Sequence, residues 1–391
     1  MGNVPKLRFP GFSGEWEEKI LNEIVVISGE KVDPKTTISS YKCIELDNLS
    51  SNDGILLGYR DSRTQKSTKN KFHKGQILYG KLRPYLRKYW KAEFNGLCST
   101  EIWVLAGKQI RNAFLYYIVQ GNYFNSIANI STGSKMPRAD WNHMKEASMK
   151  IPSEDEQTKI ANFFTLFDKK IEKQSEKVAL LEEYKKGLMQ KIFNREIRFK
   201  NDEGKEYPEW EVKKLKEIGD ISTGKTPPTN NHENYNGSYM FVTPTDIKTK
   251  YTTSTERYVS ESGLKFSAFV PAHSLLVTCI ASIGKNTIVK ENCCCNQQIN
   301  FIKPVNVVTN EYLYYRLAIG TKKLINLAGK TATQIVNKTT FENFNIDIPS
   351  FPEQTKIANF LTLFDRKIEK EKEKLSALQE QKKGLLQQMF V

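Results

Sequence analysis

Histidine is scarce: four in 391 residues (His73, His143, His232, His273), too dispersed to build a metal cluster. No apolar run approaches the roughly 20 residues that cross a bilayer; the longest, from Leu275 to Ala281, is strand-sized. The opening MGNVPKLRFPGF has no apolar stretch of the signal-peptide kind, so a reducing cytoplasm is the expected location. Neither a G-x-S-x-G elbow nor an H-E-x-x-H helix occurs, which removes the commonest hydrolase and zinc-protease readings. The six cysteines are Cys43, Cys98, Cys279 and the run Cys293-Cys294-Cys295. Zinc ligand pairs need intervening residues so that both thiolates reach one ion, so free thiols and no metal are expected.

One motif is complete on paper. GDISTGKT at 219–226 satisfies G-x-x-x-x-G-K-[ST]. A phosphate loop, however, follows a buried strand and opens a helix. The segment before it, EVKKLKEI, is charged and reads as helical, while Pro227 and Pro228 follow. Thr226 is thereby pushed toward extended backbone. Nucleotide binding is not expected, and no catalytic residue can be assigned.

What the chain does have is positive charge, net +15. Such a balance speaks of polyanionic partners, nucleic acid first. Residues 1–155 hold 23 basic and 16 acidic side chains. The stretch 60–91 alone holds 11 basic and one acidic, interleaved with aromatics. Lysine and arginine neutralise phosphates, and arginine also reads guanine edges. Candidate DNA contacts here are Arg63, Lys66, Lys69, Lys81, Arg83, Arg87 and Lys88, joined by Ser134, Lys135 and Arg138 in a glycine-containing loop. Residues 196–352 hold 19 basic and 16 acidic side chains, and their candidates are more polar. They are Thr245, Asp246, Lys285, Asn296, Gln297, Gln298, Thr333 and Gln334; Asn and Gln suit adenine edges.

The chain also repeats itself. EQTKIANF occurs at 156–163 and again at 353–360, and 26 of the 38 positions from 156 and 353 are identical. Ile-Pro-Ser precedes each copy, and WEEKILNEI at Trp16 resembles WEVKKLKEI at Trp210; both read as short amphipathic helices. Four segments follow: 1–155 and 196–352 as dissimilar modules, 156–195 and 353–391 as helices.

Each helix carries a 3,4-spaced seam. The first is Phe164, Phe167, Ile171, Gln174, Val178, Leu181, Lys185, Leu188, Ile192. The second is Leu361, Phe364, Ile368, Glu371, Leu375, Leu378, Lys382, Leu385, Met389. Seven of nine are apolar in each, with the polar exceptions at matching places. This is the coiled-coil period, over rods of roughly 57 Å. Two equivalent halves in one chain predict pseudo-twofold symmetry and an antiparallel coiled coil with a module at each end. Packing of each helix on its own module alone is the competing arrangement. The modules read as mixed α/β (α+β): strands at GQILYGK, TEIWVLAG, YMFVTPTDI, HSLLVTCI and NTIVK, with helices after them.

With its duplicated EQTKIANF helix, the Ile-Pro-Ser before each copy, two divergent modules and the GKTPPT and TPTDI stretches, the chain resembles the specificity (S) subunits of type I restriction–modification systems over essentially its full length. A very short stretch before LRFPGF departs from that pattern. The resemblance implies two target recognition domains, each reading one half of a bipartite double-stranded DNA sequence, and helices that set the spacer and dock partners. It implies two methylation subunits binding S-adenosylmethionine, motor–nuclease subunits using ATP and Mg, and no catalysis by this chain. Consistent with that division, no [ND]-P-P-[FYW] is present. A coiled-coil protein-binding adaptor without DNA readout and a lone nucleotide hydrolase are the alternative classes.

Overall fold

The computed structural model describes residues 4–36, 39–130, 136–304, 308–329 and 333–391. They form two compact units, one of residues 1–176 with 372–391, the other of residues 177–371. Both boundaries fall inside the long helices, Glu154–Phe193 and Phe351–Met389. Each unit therefore owns one module and a piece of each helix.

In the first unit a four-stranded sheet runs Val25–Ile27, Ile102–Gly107, Ile77–Gly80, Tyr89–Lys91. Its central strands are buried on both faces, which is why they read as continuous apolar runs. Ile77, Tyr79, Trp103 and Leu105 pack with the helices Asn112–Ile118 and Asn122–Ala128. Leu78, Ile102 and Val104 face the opposite way, onto Phe72, Trp90 and Cys98. A five-stranded sheet supplies that second face, in the order Lys31–Val32, Lys69–Phe72, Gly96–Ser99, Lys42–Ile44, Arg60–Asp61.

The second unit has the same plan. Leu275–Thr278 pairs with Asn286–Val289 and with Ile299–Pro304. Leu275, Val277 and Ile302 face the helix Asn310–Asn326, whereas Leu276, Ile299 and Phe301 face a second sheet. The cysteine run is the strand Cys293–Cys295. Alternation along that strand sends Cys293 and Cys295 into one cluster and Cys294 into another. All six thiols are free and buried.

Two expected helices are corrected. WEEKILNEI forms the strand Glu17–Ile20 before a single turn, Leu21–Ile24, and WEVKKLKEI forms the strand Glu211–Lys214 before a short 3-10 turn. They pair antiparallel with Ser148–Ile151 and Asn345–Ile348, the strands that lead into each Ile-Pro-Ser. Pairing across more than a hundred residues outweighs the local charge pattern.

Each octapeptide is an anchor. Glu156, Glu353 and Gln354 are fully buried, and Gln157 nearly so. Arg8 grips Glu156 at 2.7 Å and Arg198 grips Glu353 at 3.1 Å. The Gln157 amide donates to the Pro152 carbonyl and its oxygen accepts from the Arg111 N–H; Gln354 repeats this with Pro349 and Thr309. Phe9 meets Phe163 edge-on at 5.4 Å, and Phe199 meets Phe360 at 5.5 Å. Thus Leu7-Arg8-Phe9 is the structural counterpart of Ile197-Arg198-Phe199, a relation at a different offset from the helices.

The helices pack antiparallel within each unit. In the first, Phe390 lies on Phe164 and Lys382 reaches Asp168. In the second, Tyr184 lies on Phe364 and Lys177 reaches Glu371. The seam positions are all buried or half-buried, whereas Leu166, Leu180 and Leu363 off the seam are exposed. The helices also pack on the modules: Ile160, Ala161, Phe164 and Met389 join the first core, and Met189, Ile192, Ile357 and Leu361 the second. No helix of the described residues is long and apolar enough to cross a membrane.

Candidate nucleic-acid interface

In the first unit the loop 81–88 joins the two strands of a hairpin. It is tied to a neighbouring loop by main-chain bonds. Arg83 donates to the Pro137 carbonyl at 2.8 Å, and Ala139 donates to Lys81 at 2.8 Å. Lys81 in turn donates to Glu101 at 3.0 Å. Arg83 and Arg87 both adopt left-handed backbone, φ 53° and 46°, on either side of the 3-10 turn Pro84–Leu86. Such backbone costs a non-glycine residue on the order of 1 kcal/mol. The arrangement brings the loop of Lys81, Arg83 and Arg87 beside the backbone of Arg138.

Their side chains are differently engaged. Arg138 pairs with Glu101 at 3.0 Å, and Arg87 donates twice to Asn122 at 3.2 Å. Arg83 is exposed and has no side-chain partner among the described residues. Arg63 and Lys66 lie apart from this loop, after the edge strand Arg60–Asp61. Lys66 is exposed, while Arg63 forks onto Asp61 and holds that carboxyl well below the usual range.

Two expected contacts are corrected. Lys69 is buried and its ammonium meets Glu45 at 2.5 Å. The Lys88 ammonium donates to the Leu46 and Leu49 carbonyls at 2.6 and 2.7 Å. Both hold the module together, since a strand-length lysine turned inward must find such partners. Ser134 and Lys135 lie outside the described residues.

The second unit repeats the backbone and changes the side chains. Ala281 donates to the Gln334 carbonyl at 3.0 Å, Val336 to Cys279 at 2.9 Å, and Cys279 to Gln298 at 2.8 Å. Position 281 therefore corresponds to 83, and it too is left-handed, φ 60°; Gly284, φ 89°, takes the role of Arg87. Lys285, Gln297 and Gln334 are exposed around this loop, with Gln298 half-buried beside them. Thr333 is exposed next to Gln334.

Asp246 and Asn296 are half-buried and engaged within their own loops. Asp246 caps its own turn, accepting from the Thr243 N–H and hydroxyl and from the Glu256 N–H. Asn296 accepts from the Gln298 N–H and donates to its side chain. Thr245 is exposed and bonds Thr243.

GDISTGKT is the strand Gly219–Thr223 running into extended chain, with no helix after it. Gly224 passes so close to the strand end that a Cβ would lie 2.1 Å from the Asn296 oxygen. Lys225 donates its N–H to Cys295 at 2.9 Å, and the Thr226 hydroxyl donates to Gln297 at 2.5 Å. The glycine thus serves sheet packing, and the stretch borders the polar surface.

Tyr117, Asp168 and Lys382 were not singled out by type. The Tyr117 hydroxyl donates to Asp168 at 2.9 Å, and Lys382 donates to Gln120 at 2.8 Å. Tyr315, Asp365 and Lys185 repeat the group in the second unit. The available signal was the pair of lysines interrupting both seams at one position.

The comparisons agree with this plan. A family model described as the type I restriction modification DNA specificity domain matches residues 13–182 and again 207–380. The MjaIX specificity subunit of Methanocaldococcus jannaschii is 32% identical over 207 residues, 51% of this chain and 48% of that one. The matched span is thus about half that relative's length. The HindI specificity subunit of Haemophilus influenzae is 26% identical over 360 residues, 72% of this chain and 78% of that one. An S subunit from M. genitalium superposes with a TM-score of 0.58 at 16% identity, covering 99% of each chain. A chain solved in work on assembly and conformational transition of the type I system gives 0.62 at 19% identity, covering 95% of each. These two show likeness of fold. With both modules matched, the chain belongs to the type I restriction–modification DNA specificity family.

Proposed function

We propose that this chain is the DNA-reading subunit of a type I restriction–modification complex and does no chemistry itself. Each module reads one half of a bipartite duplex target. The first uses Arg83, Arg87 and Arg138, with Lys81, Arg63 and Lys66 serving the phosphates. The second uses Lys285, Gln297, Gln298, Thr333 and Gln334, beside Thr245. The long helices hold the modules at a set separation and dock two methylation subunits, which carry S-adenosylmethionine. Motor–nuclease subunits bring ATP and Mg. One observation carries the reading: a shared two-loop backbone presents arginines in one module and amides in the other. Equal frames with unequal side chains suit two readers of different bases.

Exchange of residues 20–150 for the equivalent part of a relative, in the assembled complex, tests it. One half-site changes and the other stays. Affinity falls steeply with salt, with a slope of about −0.9 per phosphate neutralised. A flat salt dependence, or change in both half-sites, rules the reading out.

A further inference from the structure

We propose that Tyr85, at the tip of the loop 81–88, is a base-contacting and specificity-determining residue of the first module. The inference rests on the DNA-reading function above.

Tyr85 is 56% exposed, although its neighbour Pro84 is buried and Leu86 half-buried. Its ring meets no other ring and its hydroxyl no partner among the described residues. It does not serve the core. Around it stand Arg83 and Arg87, both in left-handed backbone. Strained backbone persists only where surrounding structure imposes it, and it gathers at functional sites.

The second module makes the point independently. Ala281 has no liking for left-handed backbone, yet it adopts φ 60° in the same place, under the same cross-loop bonds. Ala281 and Ser282 are both exposed, although the next residue, Ile283, is buried in the core. What the two loops share is a sharply turned tip that tucks one residue inward, Pro84 in one module and Ile283 in the other, and leaves Tyr85 and Ser282 exposed. The side chains at the tips differ: a tyrosine between arginines, against a small Ala-Ser pair. A shared projection with unlike tips is what two readers of unlike sequence require.

The chemistry of the first tip suits a base pair in a duplex groove. The ring offers an apolar face for a thymine methyl or an exposed base face, and the hydroxyl offers one donor and one acceptor to a base edge. Arg83, unpaired, is free to meet the flanking phosphate or a guanine. Arg87, held by Asn122, is the more fixed of the two.

The test uses the full complex with its methylation subunits, carrying Tyr85→Ala, Tyr85→Phe or Arg83→Gln. Methylated sites are sequenced genome-wide, and affinity is measured on the cognate duplex and on duplexes with single base-pair changes. Tyr85→Ala relaxes one position of one half-site, leaves the other half-site intact, and weakens cognate binding about tenfold. The salt slope stays the same, because tyrosine neutralises no phosphate. Tyr85→Phe separates hydroxyl from ring contact. Arg83→Gln lowers the slope by about one if it meets a phosphate, and relaxes a guanine if it reads one. Wild-type complex that stays sequence-specific while Tyr85→Ala keeps its base preference overturns the inference and leaves the wider reading standing, even if affinity falls uniformly. Wild-type complex without salt-dependent specific binding overturns both.

Discussion

Lys382, on the second long helix, lies 2.7 Å from Asp168 on the first, and Lys185 faces Asp365 in the same way in the other unit. The repeat explains the exchange: each helix supplies the aspartate for one group and the lysine for the other. The two lysines that interrupt the apolar seams are therefore pairing residues. Removing the lysine leaves the half-buried Asp168 carboxylate with the Tyr117 hydroxyl as a donor but no cation beside it. Lys382→Met is expected to cost about 1–2 kcal/mol, read as a lower unfolding midpoint, with Lys382→Arg close to the parent. A midpoint unchanged by Lys382→Met would show that the pair holds nothing.

The GKT stretch separates packing from phosphate chemistry. Lys225→Ala should leave ATP hydrolysis by the assembled complex at the parent rate, because no helix follows the motif. Gly224→Ala should instead destabilise the protein by several kcal/mol, on the order of a badly overpacked core site, since its Cβ would collide with the Asn296 and Cys295 carbonyls. Lost hydrolysis in Lys225→Ala with normal DNA binding would restore the nucleotide reading.

Lys250 is buried among Tyr251, Tyr314 and Tyr315 and donates to Thr362 at 2.8 Å. Burial lowers its pKa to about 8, while Glu311 and Asp365 pull the other way. At this site the unfolded chain then binds more protons than the folded one between about pH 8 and 10.5, so the contribution of Lys250 to stability rises with pH there, by about 1.4 kcal/mol per unit at most. Below pH 8 the full penalty applies. Buried Tyr315, held protonated by burial and by Asp365, acts in the opposite direction above about pH 10. Denaturant midpoints from pH 7 to 10 check this as a difference: the six buried thiols, raised by burial, make both proteins lose stability as pH rises, and the parent should lose less than Lys250→Met. Parallel curves would refute the assignment.

If the helices set the distance between modules, lengthening both lengthens the target. Seven residues inserted near Ser175 and near Lys372 keep the apolar seam and add roughly 10 Å. That is about three base pairs, accompanied by a turn of about 100° around the duplex. Sequencing methylated sites should show a spacer longer by about one to three pairs, with both half-sites unchanged and weaker binding. An active complex with its spacer unaltered would assign the distance to something else.

Periodicity and repetition alone made the two long helices, their seams, the two modules and five of the module strands legible, because those features are local patterns: a 3.5-residue spacing, an apolar run, a duplicated string. The short strands at Trp16 and Trp210 were misread because their partners lie far along the chain, and a charged tetrapeptide shows no sign of them. Folding alone decided which basic residues are free. Lys69 and Lys88 look like Lys66 in sequence, but burial obliges them to find a carboxylate or carbonyls. It also decided that two dissimilar strings, LRPYLRK and IASIGK, occupy one backbone. The hydrogen bonds that shape those loops run through main-chain atoms, which every residue carries alike, so no side-chain pattern records them.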